Sequence, residues 1–316
     1  MQLINPNSNI DFIGKRKIAL GISSLLIIIS LLALIPDIRG LNFGIDFTGG
    51  TLVEVKFKEA PSISDVRAAI KPAGYEQAII QEFGSPNEIL IRVQNKGSEN
   101  SSSISNAILD NLKSHFGAKN IDMRRVEFVG PQVGSELTQA GINAVLIAML
   151  AIFIYVTLRF EFRFAVGADV ALIHDITIVL GVFAITGSEF SLPVVAAILA
   201  VIGYSLNDTI VVFDRIRENL EINRKLKHPE DEVKVCNDSI NQTLARTLMT
   251  SFTTLLVVLA LFFLGGEVIH GFAFALLVGI MVGTYSSIFV ASPVMLRLKG
   301  LLQTSEEDLK KMAARP

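Results

Sequence analysis

The sequence has 316 residues, of which 51% are hydrophobic and only 18% are charged. That balance argues against a soluble protein, and the net charge of −2 is unlike the strongly basic surface of a nucleic-acid-binding protein. The single cysteine, Cys236, excludes an intrachain disulfide and a cysteine-based metal cluster. The composition therefore indicates an integral membrane protein.

The N-terminal segment has the pattern of an uncleaved membrane anchor. Lys15, Arg16 and Lys17 precede an apolar run, which is also the order found in a secretory signal peptide. The run is longer than the apolar part of such a signal, and no small-x-small cleavage site follows it. We therefore predict that it remains in the protein as a first membrane span.

Six apolar segments, including this first one, are long enough to cross about 30 Å of hydrocarbon as helices. Because a backbone in lipid has to satisfy its own hydrogen bonds, segments of this length are expected to be helical. They lie near residues 18–35, 137–156, 164–185, 192–213, 248–264 and 272–295.

Lysine and arginine residues lie before span one, between spans two and three, between spans four and five, and after span six. Because such residues favour the cytoplasmic side, their positions predict the orientation of the chain. Apart from the long connection at 36–136, which carries Lys and Arg but is long enough to escape this rule, every basic segment falls on one side, whereas the short turns at 187–191 and 265–271 carry neither residue. The predicted layout is a cytoplasmic N-terminus at 1–17, transmembrane helix 1 at 18–35, an external domain at 36–136, transmembrane helices 2–6 at 137–297 with a cytoplasmic connection at 214–247, and a cytoplasmic tail at 298–316.

The long connection at 36–136 has the patterning of a small folded α+β domain. Alternating or apolar runs predict strands at 51–58, 77–83, 88–93 and 124–129, and helical spacing predicts helices at 62–73 and 101–116. Ser62 and Asp65 are placed to cap the first helix, and residues 84–87 form a turn. The order βαββαβ predicts a ferredoxin-like sheet with helices on one face.

Two glycine-rich segments flank this domain. Residues 43–50 read FGIDFTGG, and the paired Gly49 and Gly50 beside Asp46 predict a turn with unusual backbone angles. This is not a phosphate loop, since the required spacing and lysine are absent. Residues 128–134 read FVGPQVG, in which Gly130 and Pro131 suggest a hinge or a stiff elbow; a plain connection is the alternative.

Ionisable residues inside the spans are the strongest functional signal. Span three holds Asp169, His174 and Asp175, span four holds Asp208, and Arg246 opens span five. Such residues are costly in lipid and usually face the interior of a helical bundle. The polar residues that accompany them on spans four and five are Ser205, Asn207 and Thr250.

These polar groups have two interpretations. They can hold helices together by hydrogen bonds, which we favour for Asp169, Ser205 and the threonines. For Asp208 and Asp175 we favour proton handling, because burial disfavours a charged carboxylate while a nearby cation such as Arg246 stabilises it. A carboxylate in that balance can bind and release a proton, so we predict a proton relay of Asp208, Arg246 and Asp175.

Small residues recur every four positions in span six, at Gly279, Gly283 and Ser287. Such stripes let helices approach closely, so we predict helix packing there. The sequence contains none of the serine-hydrolase, metalloprotease or Cys/His metal-site motifs that would point to an enzyme, and we expect neither catalysis nor a cofactor.

Five segments of the sequence are distinctive: FGIDFTGG at 43–50, FVGPQVGSEL at 128–137, VGADVALIHD at 166–175, GYSLNDTIVVFDRIREN at 203–219 and TLARTLMTSFTTLL at 243–256. Together they resemble the SecF family, the smaller membrane subunit of the bacterial SecD–SecF protein-export complex within the resistance-nodulation-division superfamily. The resemblance runs from the first span to the sixth in order, and the segment at 203–219 is highly specific.

This resemblance implies a function that spacing alone does not show. The family acts with SecD beside the SecYEG channel in the bacterial inner membrane. It uses the proton gradient to promote late translocation and release of unfolded polypeptides. The family's proton-path residues fall on Asp208 and Arg246, and Asp175 lies in a shared motif. A further carboxylate comes from SecD, and the external domain would be periplasmic and ferredoxin-like.

Two other functions remain open at this point. The chain could be half of a small-molecule exporter of the resistance-nodulation-division type, although such chains normally carry two six-helix halves. It could also be a passive assembly scaffold whose polar residues only join helices. Co-isolation with SecD or with an efflux partner distinguishes the first alternative, and substitution of Arg246 distinguishes the second.

Overall fold

The computed structural model describes residues 9–93 and 101–298, and six of the helices in these ranges are long and apolar enough to cross a membrane. The prediction of six long apolar helices is thereby confirmed. The helices are α1 (Arg16–Ala33), α5 (Pro131–Arg159), α6 (Phe162–Thr186), α7 (Leu192–Arg224), α8 (Glu232–Leu264) and α9 (Glu267–Ser286), which continues to Leu298 through a π-helical turn at Ser287–Ala291.

Helices α7 and α8 extend well beyond their apolar segments. The predicted connection at 214–247 is mostly helical, and the loop between the two helices covers only residues 225–231. Hydropathy marks the part of a helix that lipid can surround, whereas backbone hydrogen bonding continues as long as a buried face supports it. Here Ile216 and Ile240 lie in one buried apolar cluster, and Asp231 caps α8 by accepting a hydrogen bond from the Val233 backbone N–H.

The external domain has the predicted βαββαβ order. Its strands are β2 (Gly50–Phe57), β3 (Ile79–Phe83), β4 (Ser85–Val93) and β5 (Ile121–Val129), and its helices are α3 (Ile63–Ile70) and α4 (Ser101–Phe116). The strand order is β3-β4-β2-β5, and all neighbours are antiparallel.

The boundaries of this domain differ from the prediction in small ways that have local causes. Ser62 caps α3 as predicted, since its Oγ accepts from the Asp65 backbone N–H at 3.1 Å. The predicted four-residue turn at 84–87 shrinks to Gly84, because Ser85 already pairs with Phe83. Helix α3 ends at Ile70 and passes into a 3₁₀ turn, because Pro72 lacks the N–H that an α-helix needs.

The two faces of this sheet bury different partners. One face carries Val53, Val55 and Ile91, which pack against Ile70 and Ile108 of the two helices. The other face carries Leu52 and Leu90, which pack against Ile45 from the short helix α2 (Ile45–Thr48). Neither α2 nor the two-stranded parallel pair of β1 (Asn42–Phe43) with β6 (Glu189–Phe190) was predicted.

Helix α9 packs closely against α7 where its glycines lie. A Cβ atom added at Gly279 would clash with the Val201 side chain on α7. We therefore expect Gly279→Ala to lower the stability of the purified protein by about 1–3 kcal/mol, the usual cost of overpacking. Thermal unfolding in detergent measures this loss.

Gly203→Ala is the matched control for that substitution. Gly203 lies on α7, and a Cβ added there meets no other described atom within 4 Å. Alanine favours a helix over glycine by about 1 kcal/mol, so this variant is expected to be at least as stable as the parent protein. Equal stability of the two variants would contradict close packing at Gly279.

Candidate functional site

Asp208 lies inside the bundle at the contact between α7 and α8. Its side chain is buried, and residue exposure is 2%. Its two carboxylate oxygens accept hydrogen bonds from α8, one from Thr250 Oγ1 at 3.4 Å and the other from Ser251 Oγ at 3.2 Å. Ser251 Oγ in turn lies 2.7 Å from Thr284 Oγ1 on α9. The carboxylate is therefore held by a short chain of hydroxyl groups.

Arg246 lies one helical turn before Thr250 on α8. The Thr250 hydroxyl donates to the Arg246 carbonyl oxygen at 3.1 Å as well as to Asp208, so it links the two turns of helix. The Arg246 side chain itself is exposed on the surface of this chain. No ion pair between Arg246 and Asp208 occurs among the described residues.

Asp175 forms a second polar centre, between α6, α7 and α9. The residue is fully buried, and one carboxylate oxygen accepts hydrogen bonds from Ser205 Oγ at 2.6 Å and from Ser286 Oγ at 2.8 Å. The other oxygen lies 2.9 Å from Nδ1 of the neighbouring His174. Three hydrogen-bonding groups from three helices thus converge on one carboxylate.

His174 connects this centre to α1. Its ring stacks on Tyr285 with centroids 6.1 Å apart, and the Tyr285 hydroxyl donates to the Ala19 carbonyl oxygen at 2.8 Å. The second ring nitrogen, Nε2, is buried and has no hydrogen-bond partner in the described part of the chain. An unpaired buried nitrogen of this kind is uncommon in a folded protein.

The other predicted residues fall into two groups. Gly283 lies against Ser205, and Ser287 is buried and donates to the Thr284 carbonyl oxygen at 3.0 Å, so both lie beside the two centres. Asn207 is exposed on α7, and no hydrogen bond joins it to the Asp208 cluster among the described residues. The reason is helical geometry, since adjacent residues point about 100° apart.

The site predicted from the sequence did not include Ser251, Thr284 or Ser286, which supply or extend the hydrogen bonds to both carboxylates. A signal was present, because these hydroxyl groups interrupt apolar spans. Their partners on other helices could not be identified from one chain. Within residues 9–93 and 101–298, no group of His, Cys, Asp and Glu is placed to hold a metal ion.

The two glycine-rich segments meet at the end of the bundle that carries the α+β domain. Gly49 and Gly50 have φ angles of +67° and +133°, as the predicted turn requires. A Cβ at Gly49 would lie 3.0 Å from Pro131 Cα, so the turn touches the start of α5. Gly130 joins β5 to α5, and Pro131 is the first residue of that helix.

The Asp46 carboxylate and an ion pair of the buried Arg92 extend this contact. Asp46 Oδ2 accepts from the Leu192 backbone N–H at 2.7 Å, at the start of α7. Arg92 on β4 is buried and lies 3.2 Å from Glu189 Oε2 in the turn between α6 and α7. Burial raises the pKa of the Glu189 carboxyl above its ordinary value, and the charge of Arg92 opposes that shift.

Comparisons with known families give two matches. Residues 108–300 match the family described as protein export membrane protein SecD/SecF, C-terminal, and residues 38–61 match the SecD/SecF GG motif.

Relatives named protein translocase subunit SecF are similar over nearly the whole chain. The protein from Magnetococcus marinus is 50% identical over 97% of this chain and 99% of its own length. The protein from Pseudomonas aeruginosa is 43% identical, with coverage of 95% and 94%.

Two solved structures are also similar. A crystal structure of SecDF from Thermus, described as a translocon-associated membrane protein, superimposes with a TM-score of 0.83 at 36% identity over 94% of this chain. A second, in a form called super-membrane-facing, gives 0.69 over 98%. This chain spans only 40% and 41% of those SecDF chains, so it corresponds to one part of a longer protein.

Proposed function

This chain belongs to the SecF family of protein-export membrane subunits, and we propose that it acts with SecD to couple the proton gradient to late translocation and release of exported polypeptides. The buried Asp208 with its hydroxyl partners carries this proposal. The SecYEG channel and unfolded polypeptides are the further partners that the family suggests. Similarity to SecF relatives over nearly the full length disfavours a small-molecule exporter.

The surroundings of Asp208 suit a group that gains and loses a proton. When the carboxylate is ionised, Ser251 donates to it and Thr284 can donate to Ser251. When it is protonated, the acid can donate to Ser251, Ser251 to Thr284, and Thr284 to the Ile280 carbonyl oxygen at 2.7 Å. Hydroxyl groups rotate to serve either arrangement, so both states are satisfied without movement of the helices.

Asp175 is the second proton-binding group in this proposal. Its contact with His174 offers a place for one additional proton, either on the carboxylate or on the unpaired Nε2. Ser205 and Asp208 lie three residues apart on α7 and therefore on the same face of it. A change at either carboxylate thus acts on the same helix.

Arg246 has a different position in the proposed relay. Its side chain is exposed on the surface of this chain, and a cation in a membrane helix needs a partner. We expect that partner in the SecD half, where the family supplies a further carboxylate. Arg246 would then exchange between that carboxylate and the Asp208 site.

Replacing Arg246 tests whether the polar residues form a relay or a scaffold. Arg246→Met is expected to lower gradient-dependent export by about tenfold or more while co-purification with SecD is unchanged. Arg215→Met is the matched control, because Arg215 lies in an exposed ion pair with Glu218. Loss of co-purification in Arg246→Met, with export proportional to the remaining complex, would support a scaffold.

The orientation and domain boundaries complete the proposal. Both ends lie in the cytoplasm, and the domain between α1 and α5 lies in the periplasm. Its strand order of β3-β4-β2-β5 with both helices on one face supports a ferredoxin-like fold. In the bacterial inner membrane, this places the domain where exported chains emerge.

A further inference from the structure

We propose that residues 42–49, here called the outer connector, rigidly couple the external domain to helix α7. This inference rests on the proposed function, in which α7 carries Asp208 and responds to its protonation. The GG motif at residues 38–61 covers the connector. The structure shows contacts from the connector to three separate parts of the protein.

The first contact is with the start of α7. The first N–H groups of a helix lack partners within the helix, and this end carries partial positive charge. Ser191, at the N-cap position, makes no side-chain cap hydrogen bond in the described structure. Asp46 supplies one instead, through Oδ2 to the Leu192 N–H at 2.7 Å. The connector therefore caps α7 from outside that helix.

The second contact is between backbones. Asn42 and Phe43 pair in parallel with Glu189 and Phe190 in the turn before α7, and the Gly44 N–H donates to the Phe190 carbonyl oxygen at 2.9 Å. The rings of Phe43 and Phe190 lie edge to face, with centroids 5.8 Å apart. Several directional bonds hold this turn, so it cannot slide past the connector.

The third contact joins the sheet to the outer connector and to the turn before α7. Arg92 extends from β4, is 5% exposed, and donates to the Phe43 carbonyl oxygen at 3.1 Å and to Gln81 Oε1 at 3.1 Å. Its guanidinium also pairs with Glu189 at 3.2 Å. A single buried cation thus links the external sheet, the connector and the turn before α7.

The start of α5 packs against the backbone of the outer connector. A Cβ at Gly134 would lie 2.9 Å from the Phe47 carbonyl oxygen and 3.0 Å from the Gly49 nitrogen, so only glycine allows this approach. The connector is therefore enclosed by the sheet, α5 and the turn before α7. Movement of the α7 end is transmitted to the sheet through these contacts.

The test uses the full complex with SecD in sealed vesicles and two readouts, gradient-driven proton movement and gradient-dependent export. The double variant Asp46→Ala, Glu189→Gln removes the cap and the ion pair. We expect export to fall by about fivefold or more, with proton movement unchanged. Asp46→Asn keeps an oxygen that can accept from Leu192 and is expected to retain export.

The matched control is Glu88→Gln. Glu88 pairs with Lys56 at 2.6 Å on the same sheet, but that pair makes no contact with the outer connector. It is expected to leave both readouts unchanged. Export at the parent level in the double variant would overturn the coupling, and so would an equal loss in Glu88→Gln.

An engineered disulfide tests whether the contact between the outer connector and the turn before α7 stays closed during export or has to open. Asn42 and Glu189 are paired residues, so the variant Asn42→Cys, Glu189→Cys can form a bond between connector and turn. The native Cys236 is buried and distant in sequence. We expect low export in the reduced form and recovery on oxidation. Loss of export on oxidation would show that the contact must open, and would overturn the inference.

Asp208→Asn in the same vesicles separates this inference from the proposed function. If that variant retains full export and proton movement, the relay itself is wrong. If it loses both while the double connector variant loses neither, the relay stands and the coupling role of the connector is wrong.

Discussion

Gradient-dependent export is expected to be lost when Asp208 is replaced by Asn. The amide has the same shape and can still accept from Ser251 or Thr250, but it cannot release a proton. One charge crossing 100 mV supplies about 2.3 kcal/mol, which is a bias of about 50-fold on a two-state element. That bias disappears if no proton binds at this position. Export by reconstituted complex, with and without a gradient, measures the effect.

Asp169→Asn is the control for that experiment. Asp169 lies on α6 in the same bundle, is only partly buried, and belongs to neither carboxylate cluster. The same chemical change there is expected to leave gradient-dependent export intact. Both variants should co-purify with SecD, because neither changes the volume of a side chain. Export at the normal rate in Asp208→Asn would rule out the relay.

The fold could be predicted where a local pattern carries the information. The six spans follow from apolar length, and the strands and helices of the external domain follow from periodicity and from the Ser62 cap. The β1–β6 pair could not be predicted, because two-residue strands have no periodicity and Asn42 lies far from Glu189 in the chain. The full length of α7 and α8 was missed because an apolar composition identifies only the part of a helix that lipid can surround.

The site was predictable only in part for a related reason. Asp208 and Asp175 stand out because a carboxylate in an apolar span is costly, and such a residue can be recognised from the sequence of one span. The other helices that surround each acid cannot be recognised in that way. Thr250 was found from its spacing to Arg246, whereas Ser286 and Arg92 act through contacts between distant segments. A buried arginine in an otherwise apolar strand, EILIRV at 88–93, is the one clue to the Arg92 contacts.

Asp175→Ala is expected to destabilise the protein more than any other single change at the site. It would leave His174 and Ser205 buried without their acceptor, and Ser286 with only the Gly283 carbonyl oxygen at 3.1 Å. Since each unsatisfied buried donor costs about 1–3 kcal/mol, the total loss is expected to be about 3 kcal/mol or more. Thermal unfolding of the purified protein in detergent, together with its level in the membrane, measures this.

Asp208→Ala provides the comparison, because its hydroxyl partners have other acceptors. Thr250 Oγ1 also lies 2.9 Å from the Thr247 carbonyl oxygen, and Ser251 can donate to Thr284. This variant should therefore lose only about 1 kcal/mol. Asp175→Asn then separates structure from proton binding, because it keeps an oxygen for Ser205 and Ser286 but cannot ionise. Near-normal stability with impaired export in Asp175→Asn would place Asp175 in the relay, whereas normal export would restrict it to holding α6, α7 and α9 together.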